Sequence, residues 1–391
     1  LCSLLLLLAY NNMQMDRHFN TEGRLEKNMR SATNLVMADT SLIIGQQETS
    51  LDLFDGSADS ATIKKANWGM YSFATVTVKT THQEKTKAFF FGQELGAPLD
   101  GCLYLADRKS ALSLVGETLL DGDAYLPKAG VNPGFIDQRG FAYPVLIKGS
   151  IRTSADTLPA IDERLCSLLE NAGMARGEGM LPDTLVRSFF DTAKVFHFPG
   201  AIRLLECRLD GHILVVSDSS IWVGANTSLN NIILVAPSIA FESGFSGTVQ
   251  AIATDSIRAQ DDCHFGYPSA LVLCKRKDDK AQPTIMIGER SGLSGIVLTY
   301  CPDGNDLVRT YVELGKGGQV EGYMYTAGFL NLKGRVDGVV LTDHFITKFS
   351  SSILVNYLVD ATIDRKGLST HFIGPHLFDN PRQNKIIQWV N

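Results

Sequence analysis

The sequence predicts a mainly β protein: a parallel β-solenoid (β-helix) preceded by a long hydrophobic-then-amphipathic N-terminal α-helix. Three observations carry this. From Gly211 to Asp343 the chain repeats short apolar pairs, one residue apart, between turn residues. Helical spacing hardly interrupts that stretch. The first 45 residues instead join a run of leucines to a stripe at helical period.

The pairs are Ile213–Val215, Ile221–Val223, Ile233–Val235, Ile239–Phe241, Val249–Ala251 and Ile257–Ala259, then Ile285–Ile287, Ile296–Leu298, Val312–Leu314, Leu330–Leu332 and Val339–Leu341. Two apolar residues at i and i+2 mark a strand with one buried face. Strands this short bury nothing alone, so each must stack on a copy of itself. The 35 glycines in 391 residues suit many tight turns.

In the N-terminal segment, Leu4–Leu8 is an unbroken apolar run, and the chain turns polar at Asn11. A membrane-spanning helix needs about 20 apolar residues, so the run as it stands is short. Leu25, Met29, Ala32 and Val36 then fall at helical spacing among Arg17, Arg24, Lys27 and Arg30 and the acids Asp16, Glu22 and Glu26. Residues 1–45 are expected to form one anchor and stalk helix, with Leu1–Ala9 meeting a membrane. The absence of an initiating Met is read as processing or as missing upstream residues. The layout resembles the N-terminal helix of type IV pilins and pseudopilins, which implies an apolar half seated in membrane or filament core. It departs from that family at Leu5, where mature pilins carry glutamate.

Beyond it, Asp52–Ala61 reads as a polar linker. Tyr71–Lys79 and Lys87–Phe91 read as paired strands of a β-rich domain over 62–155. Within that domain, Gly116 and Gly122, and Leu114, Leu120 and Leu126, recur every six residues, a step shared with hexapeptide acyltransferases. Leu158, Ile161, Leu165, Leu168, Leu169 and Ala172 predict a helix over 156–175, within a connector spanning 156–202. The main solenoid is placed at 203–345 and a C-terminal cap at 346–391, because open strand edges need covering.

The segments VGETLLDGDAYL and LNLKGRVDGVVL, with Val336-Asp337-Gly338-Val339 following Gly334, resemble the polymer-forming, bactofilin-like bacterial surface β-solenoids. That resemblance implies a non-enzymatic scaffold of a bacterial envelope. It would be tethered by its helix with its β domain exported, and partnered by copies of itself or by envelope proteins.

Composition bears on partners. A net charge of −6 and the lack of a long Lys/Arg run argue against nucleic acid. Lys275-Arg276-Lys277 is followed directly by Asp278 and Asp279. The seven cysteines are scattered without CxxC spacing, which points to isolated buried thiols, with one bridge conceivable among Cys263, Cys274 and Cys301.

No catalytic, cofactor or metal residue is assigned. Gln260-Asp261-Asp262-Cys263 resembles the aspartate-pair segment of polygalacturonase-type glycoside hydrolases, which implies an acid/base role for Asp261 and Asp262. The family's Asn-Thr-Asp, Gly-His-Gly and Arg-Ile-Lys elements have no counterpart here. This β-helix enzyme is the alternative function. A third carboxylate facing the pair across a groove would favour it. His264 beside the pair is a lone histidine, and His371 and His376 flank Gly374-Pro375. Ser294 lacks the spacing of a nucleophile elbow, and Gly315-Lys316-Gly317-Gly318 lacks that of a P-loop. Tyr323, Tyr325, Phe329, Trp222 and Phe241 would form a polysaccharide-binding stripe if aligned outward, and core packing if inward.

Overall fold

The computed structural model describes residues 2–39, 47–52, 59–81, 83–94, 96, 100–177, 179–274, 282–300, 309–349, 352–378 and 382–391. It is mainly β, with one long helix at the N-terminus, α1 (Cys2–Ala38). Leu25, Met29, Ala32 and Val36 are buried, as their spacing predicts. They lie on Ala61, Ile63, Ala74, Val76, Val78, Phe89 and Phe91 of an antiparallel sheet. That sheet is formed by β1 (Gln47–Asp52), β2 (Ser60–Trp68), β3 (Tyr71–Lys79), β4 (Glu84–Gln93) and the C-terminal strand Asn384–Val390, in that order. Ahead of Leu25 the helix projects: Leu4–Leu8, Tyr10, Met13, Met15 and Phe19 are all exposed.

Polar ties fix the docked half of α1. Asp59, just before β2, accepts from Arg24 and from Asn28 Nδ2 at 3.1 Å. Asn384 donates to the carbonyls of Val36 and Asp39 at the helix end. Glu26 pairs with Lys85 and Lys87 on β4.

The opposite face of the sheet, Trp68, Tyr71, Phe73, Ala88 and Phe90, packs against a second, parallel sheet. There each strand hydrogen-bonds in parallel to the one 15–28 residues onward. One row runs Ile202, Ile221, Ile239, Ile257, Ile285, Val312, Leu330 and Phe345 in strict register. Its members from Ile221 onward are buried in the central core. A second row, Val215, Leu234, Ala251, Leu271, Val297, Met324 and Val340, also points inward. Its neighbours Val216, Val235, Ile252, Val272, Leu298, Tyr325 and Leu341 point out, beneath the cover of the antiparallel sheet and the short helix α2 (Glu163–Ala172). This wall is buried on both sides, which explains its unbroken apolar runs such as IILVA and ALVLC.

Gly295, Gly322 and Gly338 stack at one corner, each at positive φ. A Cβ on any of them would lie 1.9–2.0 Å from the carbonyl oxygen of the preceding rung. The Asp337-Gly338 motif is therefore a corner only glycine can turn.

Three expectations change. Residues 103–126 do not form a separate repeat: Leu103 pairs with Val340 and Leu120 with Ile363, so they continue the main ladder after its last rungs. The ladder also begins earlier than 203, with Thr184–Arg187 and Lys194–Phe198. The tail is not a cap, because Thr362–Asp364 stacks between Arg335–Asp337 and Leu119–Asp121, while the final strand edges β4. Alternation in sequence shows that a segment is a strand, but not which strand lies beside it. Smaller differences lie at element ends. The connector helix starts at Glu163, where Asp162 caps it by accepting from Arg164 N at 2.8 Å. Much of the 52–61 linker, the 275–279 charge cluster and Cys301 lie outside the described residues.

Candidate functional site

An open trough of about 420 Å³ runs along the outward side of the Ile221–Phe345 wall. Register places Arg258, Met286 and Glu313 side by side on successive strands. The turns that follow them contribute Gln260 and Asp261, Gly288 and Glu289, and Gly315 and Lys316, with Lys333 on the far side. Two glycines make the floor concave. A Cβ on Gly288 would meet Gln260 C at 2.5 Å, and one on Gly315 would meet Glu289 N at 2.8 Å.

The Asp261-Asp262 pair is divided by this geometry. Asp261 lines the trough, with Oδ1 accepting from Glu289 N at 2.8 Å. Asp262, at φ 59°, is not among the lining residues. Its carboxylate accepts from Arg290 Nε at 2.8 Å and from a terminal guanidinium nitrogen at 2.7 Å. That hydrogen-bonded guanidinium holds it below the usual carboxylate range.

Glu289 and Glu313 supply further carboxylates in the same trough. Glu313 is half-buried, and burial by itself would raise its pKa; Lys333 at 2.6 Å and the Tyr311 hydroxyl outweigh this and hold it low. Neither Asp262 nor Glu313 is thus raised toward the role of a general acid at neutral pH. The trough offers fixed charges of both signs above a partly apolar floor, which is the chemistry of binding and orientation.

The other singled-out residues are dispersed. Cys263 is buried, and burial pushes its thiol up; Cys102 is pushed to about 12 for the same reason. His264 opens a strand beside Gly292. His376 is buried and bonded to Asn384 at 2.8 Å, whereas His371 is exposed. Ser294 donates to Glu321 at 3.2 Å. Gly315–Gly318 closes a turn, with Gly318 N donating to Gly315 O at 3.0 Å. Tyr323, Tyr325 and Phe241 are core residues, so they form no outward stripe. Trp222 does face outward, with the Arg203 guanidinium 6.0 Å from its ring centre. Among the described residues, no group of three His, Cys, Asp or Glu is placed to hold a metal ion.

Sequence reasoning missed Arg258, Glu289, Glu313 and Lys333. Arg258 and Glu313 are ordinary charged residues on the outward side of their strands, Glu289 and Lys333 lie in the turns after strands, and only the rung offsets bring the four together. The one signal present was the placement of Gly288 and Gly315 directly after Ile287 and Leu314, where two strands end on glycine.

No protein-family model matches the chain, and no curated protein is similar to it. A comparison with solved structures finds the competence-associated pilin ComZ from Thermus thermophilus, at 9% identity, over 88% of this chain and 86% of that one. The TM-score is 0.26, too loose a superposition to carry an argument about fold or function.

Proposed function

We propose that this chain is a non-enzymatic structural subunit of a bacterial envelope or surface assembly, built in the pilin manner. In this reading the parallel ladder is a β-solenoid that holds a rigid shape, and the projecting half of α1 joins the subunit to its surroundings. The observation that carries it is the divided helix. From Leu25 on, one face is docked on the antiparallel sheet; before it, Leu4–Leu8, Tyr10, Met13, Met15 and Phe19 stand in solvent.

Burying a large apolar side chain is worth about 1.5–3 kcal/mol, so covering this set yields on the order of 10 kcal/mol before association costs. Five consecutive leucines surround the helix instead of marking one face, which suits a site enclosed on all sides. No helix among the described residues is long and apolar enough to cross a membrane by itself. A core of bundled helices, partly embedded in lipid, satisfies both facts.

The test is electron microscopy and sizing of the chain with and without residues 1–24. Filaments, arrays or detergent-sensitive oligomers that vanish on truncation, while the β body stays folded, are the expected result. A monodisperse monomer from the full chain in detergent-free buffer would refute the proposal. The second reading, a glycoside hydrolase, draws on the carboxylates of the trough. It predicts polysaccharide cleavage that Asp261→Asn abolishes.

A further inference from the structure

The trough on the outward side of this wall has a use that subunit assembly does not require. Three cations (Arg258, Lys316 and Lys333) and three carboxylates (Asp261, Glu289 and Glu313) line it. They are not equivalent. Lys333 is engaged with Glu313 at 2.6 Å, and Asp261 is turned onto the Glu289 amide. Arg258 is exposed and forms no ion pair among the described residues. Lys316 is likewise exposed and forms none, although it lies in the field of Asp360, whose carboxylate Arg139 already holds. The groups left to meet a ligand are two cations at separate points of the trough, with the Met286 side chain and the Gly288–Gly315 floor between them.

The geometry points to a binding site for an extended, sparsely charged anionic glycan, a uronate-bearing oligosaccharide whose carboxylates pair with Arg258 and Lys316. Arg258 and Glu313 lie two rungs apart, about 10 Å at the usual interstrand spacing, and Lys316 follows Glu313 in the next turn. The ligand must therefore be extended along the ladder, with neutral body between its charges. The volume of about 420 Å³ falls within the range of small-ligand sites, and the glycine floor fixes it in the backbone. Toward the start of the ladder the same outward row continues through Ala240 to Trp222, under Arg203. That gives a second flat apolar surface for a sugar face. A dense polyanion is disfavoured. A chain with a charge on every repeat places several anions within the span of about 10 Å between Arg258 and Glu313, and some of those would face Asp261, Glu289 and Glu313.

The test is calorimetric titration of the full chain at low salt with a hyaluronan hexasaccharide, in which a uronate alternates with a neutral sugar, against the neutral N-acetylglucosamine hexamer and an aspartate hexapeptide. The hyaluronan hexasaccharide is expected to bind at least about tenfold tighter than either control, the factor that 1.4 kcal/mol confers. Arg258→Gln and Lys316→Gln should each weaken it, and the double charge reversal R258E/K316E should abolish it. Far-UV circular dichroism should be unchanged in every variant, since both side chains are exposed. Equal affinity for the neutral hexamer, full binding by the double reversal, or no binding at millimolar ligand would overturn the proposal. Preference for the peptide would also overturn it and reassign the trough to acidic protein segments. The readout is independent of filament formation, so its failure and that of the assembly reading are distinguishable.

Discussion

Gln250 is the clearest point at which to break the contact between the two sheets. It sits on the outward row of the parallel ladder, between Ile233 and Ala270, and is 5% exposed. Its amide reaches across to the β2–β3 hairpin, accepting from Met70 N at 2.7 Å and donating to Trp68 O at 2.8 Å. The turn between them holds Gly69 at φ 60°, where a Cβ would lie 2.3 Å from Gln250 Oε1. Gln250→Ala leaves a backbone N–H and a C=O without partners at a buried hairpin, at about 1–3 kcal/mol each. Trp68 Nε1, which donates to Asn231 O at 2.9 Å, still ties the hairpin down. The expected loss is therefore about 3 kcal/mol in local opening, or roughly a hundredfold faster exchange of the Met70 amide under native conditions. Gln250→Glu makes a sharper control: it retains an acceptor for Met70 N but cannot donate to Trp68 O, and it places a carboxylate in the contact. It should destabilise at least as much at pH 7. If Met70 exchange in Gln250→Ala stays within about twofold of wild type, the amide does not couple the sheets and the reasoning fails.

Three further outcomes follow. Ile257→Ala removes a fully buried side chain between Ile239 and Ile285, and should lower unfolding stability by about 2–5 kcal/mol in a urea titration; a loss under 1 kcal/mol would mean the row repacks. Asp59→Ala strips Asn28, itself 2% exposed, and Arg24 of their acceptor, and should speed amide exchange from Leu25 to Val36 by about tenfold or more while leaving the ladder's rates unchanged. Burial depresses the pKa of His212, His344 and His376 below the ordinary 6.5, that of His344 to about 4 with the Arg309 and Arg108 charges assisting. The unfolded chain then takes up these protons first, so stability is full above about pH 6.5 and declines as pH falls toward 4. Midpoints of denaturation at pH 7 and pH 4.5 measure this, and His344→Asn should flatten the difference.

Much of this architecture was legible in the chain. The i, i+2 pairs identify the strands because a half-buried strand must alternate, and every pair named from Ile213 to Leu341 lies in one. The docked face of α1 follows from Leu25, Met29, Ala32 and Val36, since only residues three or four apart share a helix side. The trough was far less legible. Asp261 drew notice through a four-residue likeness, yet its neighbour Asp262 turns to Arg290, and Glu289, Glu313, Lys316 and Lys333 reach the site from 25 or more residues further along the chain.

Local pattern is a property of consecutive residues, so the sequence by itself determined which segments are strands, which face of α1 is sticky and where glycine must turn a corner. Pairing is a property of distance in space. Only the tertiary structure decided that Leu103 follows Val340 and that the last strand edges β4. It alone decided which wall of the parallel ladder the antiparallel sheet covers and which bears Arg258, Met286 and Glu313 in one row. The reason is physical. A strand's hydrogen bonds and apolar face are satisfied equally well by many neighbours, and the choice among them is made by packing the whole chain at once.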